Sequence, residues 1–88
     1  MRYQRNDNLD ATVIDNDLFL VEPVSEEVLY LDALAHGLWR LLAEPCDFNA
    51  ILAIFSQAFP DTPIEAMRAD LVAALDDLMA RGLVSVTA

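Results

Sequence analysis

Val28-Leu29-Tyr30-Leu31-Asp32-Ala33-Leu34-Ala35-His36-Gly37-Leu38-Trp39-Arg40-Leu41-Leu42 is the stretch in which this chain changes its period. The first four residues are aliphatic, β-branched or aromatic and read as a strand. Asp32 is a good helix N-cap. Beyond it Leu34, Leu38, Leu41 and Leu42 share one helical face, with Trp39 beside them. Strand gives way to amphipathic helix at Asp32.

Upstream of that junction the chain reads as β. Ala11-Thr12-Val13-Ile14 and Leu18-Phe19-Leu20-Val21 are two short apolar runs, and Asp15-Asn16-Asp17 between them tolerates a tight hairpin turn. Pro23 ends the second run, and Ser25-Glu26-Glu27 supplies the turn into Val28. Residues 1–10 are polar with little to bury, which predicts a loose arm.

Downstream it reads as α. Pro45 stops the first helix near Glu44. Asp47 caps a second, whose stripe is Phe48, Ile51, Leu52, Phe55 and Phe59, with Pro60 closing it. Thr62-Pro63-Ile64-Glu65 has the form of a capping box with proline at the first helical position. Ile64, Met67, Leu71, Leu75 and Leu78 then form a stripe that ends at Gly82, a C-cap glycine. Leu83 to Val86 adds a brief terminal strand. The expected fold is α+β, a three-stranded antiparallel sheet followed by three helices (β-β-β-α-α-α), in a winged helix-turn-helix-like arrangement.

With 88 residues the chain holds one domain, spanning 1–88. Its fifteen acidic residues face five arginines and no lysine, a net charge of −10. Such a surface repels phosphate backbones and anionic lipid, so neither nucleic acid nor membrane is expected as a partner. No apolar run approaches the ~20 residues that cross a bilayer. The single Cys46 forms no internal disulfide, and the N-terminus lacks a signal-peptide core; both fit a cytoplasmic protein.

Catalytic chemistry is sparse. His36 and Cys46 are the one histidine and the one cysteine, and nothing supplies the third group or the oxyanion hole that a nucleophile pair requires. One cysteine and one histidine do not build a zinc site. Asp15-Asn16-Asp17 begins like a calcium loop, but its glycine position is Leu20. The two glycines, Gly37 and Gly82, make no phosphate-binding loop, so no cofactor or metal is expected. Gly37 inside a helix costs about 1 kcal/mol against alanine, which hints at close packing there.

Leu31-Asp32-x-x-Ala35-x-x-Leu38-Trp39-x-Leu41-Leu42 and Asp70-Leu71-x-x-x-Leu75-x-x-Leu78-x-x-x-Gly82-Leu83-Val84 resemble motifs of the PqqD family. This is the pyrroloquinoline quinone synthesis protein D group, also called RiPP precursor recognition elements. The resemblance runs from about Leu9 to Val84. It departs at Asp32, where the family usually has Asn, and at Glu44-Pro45, where it commonly has Asp-Gly. It implies a non-catalytic peptide chaperone that binds the leader segment of a ribosomally made precursor peptide. The leader is then presented to a modifying enzyme, such as a radical SAM enzyme or a leader peptidase. It would add as a strand beside the third strand, in a groove walled by the third helix.

The residues accommodate that mode. An edge strand offers unpaired backbone groups, the requirement for β-augmentation. The expected peptide-binding residues are Val28, Leu29 and Tyr30 on the strand and Arg68, Leu71, Val72, Leu75 and Asp76 on the third helix. Leu29, Leu71 and Leu75 also satisfy a plain core stripe, so Tyr30, Arg68 and Val72 carry more of the functional reading. Two alternatives stand beside it. One is a structural or oligomer-forming subunit, including a homodimer through the strand edge. The other is a winged-helix transcription regulator, disfavoured because the third helix sets Arg68 and Arg81 against Glu65, Asp70, Asp76 and Asp77.

Overall fold

Asp15 and Asn16 both adopt positive φ, 51° and 71°, the conformation of a two-residue type I′ turn. They join β2 (Asp10–Ile14) to β3 (Asp17–Val21), and β4 (Val28–Leu31) follows after a longer turn. The computed structural model describes residues 1–87. Its three-stranded antiparallel sheet has the order β2-β3-β4. Three helices follow: α1 (Ala33–Leu41), α2 (Phe48–Ala58) and α3 (Ile64–Ala80). The expected β-β-β-α-α-α core of the fold is present.

The register puts Val13 opposite Leu18, Leu18 opposite Leu31, Ala11 opposite Leu20 and Leu20 opposite Leu29. These residues share the sheet face turned toward the helices. Leu18, Leu20 and Leu31 are buried there with Leu38, Trp39 and Leu42, with Ile51, Leu52 and Phe55, and with Met67, Leu71, Leu75 and Leu78. Two residues of the expected stripes fall outside this core. Ile64 is 55% exposed because it opens α3, and Phe59 is 48% exposed because it follows the end of α2.

The helix ends follow the capping signals, with one exception. Asp32 accepts from the Ala35 amide at 2.9 Å and Asp47 from the Ala50 amide at 2.8 Å. At α3 the capping box does not form. Pro63 is itself the cap residue, no side chain caps it, and the Thr62 amide is engaged with the Phe59 carbonyl at 3.1 Å. The first helix ends at Leu41 rather than near Glu44. Gly37 sits where α1 meets α2: a Cβ there would stand 3.3 Å from the Phe55 ring.

The N-terminal residues are not a loose arm. β1 (Arg2–Arg5) pairs antiparallel with β5 (Val84–Thr87) as a separate two-stranded ribbon, Arg2 opposite Thr87 and Arg5 opposite Val84. The Tyr3 and Cys46 backbones exchange two hydrogen bonds, 2.7 and 3.0 Å, and the Arg5 amide donates to the Leu42 carbonyl at 3.0 Å. A polar segment with few side chains to bury is thus held by its main chain, which carries donors and acceptors whatever its side chains are.

α3 hands over to β5 through a Schellman motif: the Leu83 amide donates to the Leu78 carbonyl at 2.9 Å and the Gly82 amide to the Met79 carbonyl at 3.0 Å. Gly82 has φ +73°, with open space where a Cβ would be. Gly82→Ala therefore tests conformational strain alone and should destabilise by about 1 kcal/mol net. In a domain of this size that lowers Tm by about 4–8 °C. Gly82→Asn, better suited to the left-handed region, should lose less. Thermal melts of the two variants check this; an unchanged Tm for Gly82→Ala would refute it.

Candidate functional site

β4 lies at the end of the strand order, and among the described residues no strand pairs with its outer edge. The ladder shows which backbone groups face outward. The Glu22 amide donates to the Glu27 carbonyl at 2.9 Å, extending the β3–β4 register one pair beyond Val21–Val28. Bonded and non-bonded pairs alternate in an antiparallel ladder. Leu20–Leu29 and Leu18–Leu31 are therefore the bonded pairs, and the N–H and C=O groups of Val28 and Tyr30 point to the open edge.

The side chains alternate as well. Leu31 is buried and Leu29 half-buried on the inner face, whereas Val28 is 60% and Tyr30 51% exposed on the outer one. The Tyr30 ring packs on Phe19 with centroids 5.5 Å apart, and its hydroxyl donates to Asp17 Oδ1 at 3.4 Å. The Asp17 carboxylate, aided by desolvation, raises the phenol above its ordinary pKa. At the start of the strand, Glu22 closes the turn by accepting from the Val24 and Ser25 amides at 3.2 and 2.6 Å. Those bonds, the Ser25 amide first, hold its carboxyl below the usual carboxylate range.

A cavity of about 280 Å³ is lined by Tyr30 and Leu31 of β4 with His36 and Arg40, and two others connect the ends of the strand to α3. One, about 320 Å³, is lined by Leu29, Glu22 and Glu27 on the sheet side and by Arg81, Gly82 and Leu83 at the end of α3. The other, about 270 Å³, lies between Ala33 and Leu34, just past β4, and Phe59, Met67 and Asp70. From Met67 to Arg81 a helix climbs about 21 Å. From Glu27 to Ala33 an extended chain covers about 20 Å. Each cavity thus joins one end of α3 to one end of β4, Arg81 to Glu27 and Leu29, and Met67 and Asp70 to Ala33 and Leu34 just past the strand. Helical spacing puts Asp70, Ala74, Asp77 and Arg81 on one flank of α3, and Arg81 Nη2 lies 3.2 Å from Asp77 Oδ2.

Placed on this geometry, the expected residues divide. Val28, Leu29 and Tyr30 occupy the open edge. Leu71 and Leu75 are buried at 0% and 1%, on the core-facing stripe. Arg68, Val72 and Asp76 are exposed on the opposite flank of α3, away from the residues that line either cavity. Asp70 and Arg81, which line the cavities, were not expected there. The stripe alone shows which face of α3 is inward; which flank meets the sheet depends on how the helix lies across it.

The remaining reactive groups are dispersed. Cys46 is half-buried and tied by its main chain to Tyr3, while His36 also lines a further cavity, beneath β2 and β3. Among the described residues, no three His, Cys, Asp or Glu side chains are grouped to hold a metal ion, and no helix is long and apolar enough to cross a membrane.

The family model described as coenzyme PQQ synthesis protein D (PqqD) matches residues 17–84. A solved structure, "TbiB1 in Complex with the TbiA(beta) Leader Peptide", superposes with a TM-score of 0.80 at 21% sequence identity. The match covers 97% of this chain and 98% of that one, and at this identity it shows a common fold. No curated protein matches the chain by sequence.

Proposed function

The chain belongs to the PqqD family, and from that premise we propose that it is a non-catalytic adaptor that binds the leader of a ribosomally made precursor peptide. One observation carries the reading: the outward N–H and C=O groups of Val28 and Tyr30 at an open edge, with a cavity toward α3 at each end. A peptide strand laid there pairs its main chain with β4 and seats alternate side chains between β4 and α3. Backbone pairing supplies affinity with little sequence demand, and the end cavities supply selection. The strand half of the site is Val28, Leu29 and Tyr30; the helix half is Met67, Asp70, Ala74 and Arg81. The superposed protein, of like fold, is described with a leader peptide in its complex, which supports the same use of the groove here. The bound leader is handed to a modifying enzyme, a radical SAM enzyme or a leader peptidase, in the cytoplasm.

The test is titration of the full chain with a synthetic leader taken from the precursor gene adjacent to its own. Expected are micromolar or tighter binding and slowed hydrogen exchange at the Val28 and Tyr30 amides. Failure of every neighbouring leader to bind, or protection that appears only elsewhere, would remove the reading. A DNA-binding role finds no support in α3, whose Arg68 is outweighed by Glu65, Asp70, Asp76 and Asp77.

A further inference from the structure

The helices do not cover the whole inner face of the sheet. Ala11 and Val13 share that face with the buried Leu20 and Leu18, yet both are exposed, Val13 at 60%. β2 thus turns apolar side chains inward toward space that no element among the described residues fills. The space is a cavity of about 480 Å³ between Ala11 and Val13 on one side and Arg5, His36, Trp39 and Arg40 on the other.

Its charge is opposite to that of the molecule. The chain carries −10, with five cations against fifteen acids. Two of the five arginines and the one histidine nevertheless converge on this lining, to which no carboxylate contributes. Arg5 is fixed in place. Its Nε donates to Asp7 Oδ1 at 2.8 Å, its Nη1 donates to the Trp39 carbonyl at 3.3 Å, and its guanidinium lies 5.3 Å from the Trp39 ring centroid. Arg40 is exposed and forms no ion pair among the described residues. Asp7 holds Arg5 from outside the lining, and Asp17 lies in an adjoining cavity that shares His36 and Arg40, where it accepts from Tyr30.

An apolar floor beside the unpaired Arg40 suits a guest that brings both an aliphatic side chain and a carboxylate. A second copy of this chain approaches with its own −10 and is repelled at long range. The leader's seat is at β4, on the far side of β3, roughly 10 Å across two strand spacings. We infer that the cavity beneath β2 is a second docking site, which receives an acidic, apolar segment of the modifying enzyme while the leader occupies β4. This rests on the adaptor reading and extends it: the two guests sit on opposite margins of one sheet.

The experiment uses the full chain and a synthetic amidated peptide of alternating Glu and Leu, with Gln-for-Glu and Lys-for-Glu twins. Trp39 is the chain's one tryptophan and lines this cavity, so its emission responds to a guest there. The Glu peptide should perturb Trp39 emission and shift the Val13, His36 and Arg40 amides, and the Gln twin should bind about tenfold more weakly or worse. Arg40→Glu should weaken the Glu peptide by a similar factor while leader binding and the circular dichroism spectrum stay unchanged. Equal binding of either twin, an indifferent Arg40→Glu, or shifts confined to Val28 and Tyr30 would overturn the inference. So would acetate or phosphate reproducing the same shifts, since the cavity would then be a small-anion site. Leader binding without Glu-peptide binding removes this site and keeps the adaptor; the reverse removes the adaptor and keeps a peptide site beneath β2.

Discussion

Val28→Pro should nearly abolish leader binding and leave the domain folded. The Val28 N–H faces the open edge, not β3, so proline removes a donor to the guest without breaking a bond of the sheet. The guest's carbonyl is then left unpaired in a closed groove, a cost of about 1–3 kcal/mol, and the ring crowds the space its backbone would enter. Affinity should fall about ten- to hundredfold or more. Val28→Ala is the control, because the exposed side chain contributes little and the N–H remains. Leu29→Pro is the contrast: its N–H belongs to the β3 ladder, and that variant should lose the sheet itself. Calorimetric titration with circular dichroism separates the three. Unaltered leader affinity in Val28→Pro would show that the guest does not pair at this edge.

Leu71→Ala should be the most damaging substitution among the residues that the sequence nominates for peptide contact. Leu71 is fully buried in the core, and losing such a leucine costs about 2.7–5 kcal/mol, set by how far its neighbours relax. Domain stability is about 0.05–0.15 kcal/mol per residue, so a single truncation removes a large share of it. Val72→Ala, one position along and 44% exposed, should stay within about 0.5 kcal/mol of the parent. Urea melts distinguish these outcomes. If Leu71→Ala costs no more than Val72→Ala, the phase of α3 described here is wrong. Lost leader binding in a Leu71 or Leu75 variant is accordingly a report on folding.

What the sequence could reveal was local. Asp15-Asn16 announces its own turn, Asp32 and Asp47 their helices, and Gly82 the end of α3, because each signal lies within a few residues of its effect. Val28 to Leu31 was legible as a strand for the same reason. Residues 2–5 were not. Arg2-Tyr3-Gln4-Arg5 has no periodic signature of its own, and its partner strand lies at the other end of the sequence. Which flank of α3 faces the cavities was hidden for another reason. A hydrophobic stripe fixes which side of α3 turns inward, yet Arg68 and Arg81 on its two flanks look alike until the helix is laid against β4. The uncovered face of β2 was equally silent, since Ala11 and Val13 have the pattern of buried residues.

The ribbon of β1 and β5 also has a mechanical meaning. Arg2 lies beside Thr87, so both tails leave from the same end of an antiparallel pair. Tension applied through them loads one rung at a time, as in a zipper, and each rung resists with only about 0.5–1.5 kcal/mol. β4 is remote from that line of force. Hauled by its two tails, the molecule peels along this seam first, while the rim that would carry the leader stays zipped to β3.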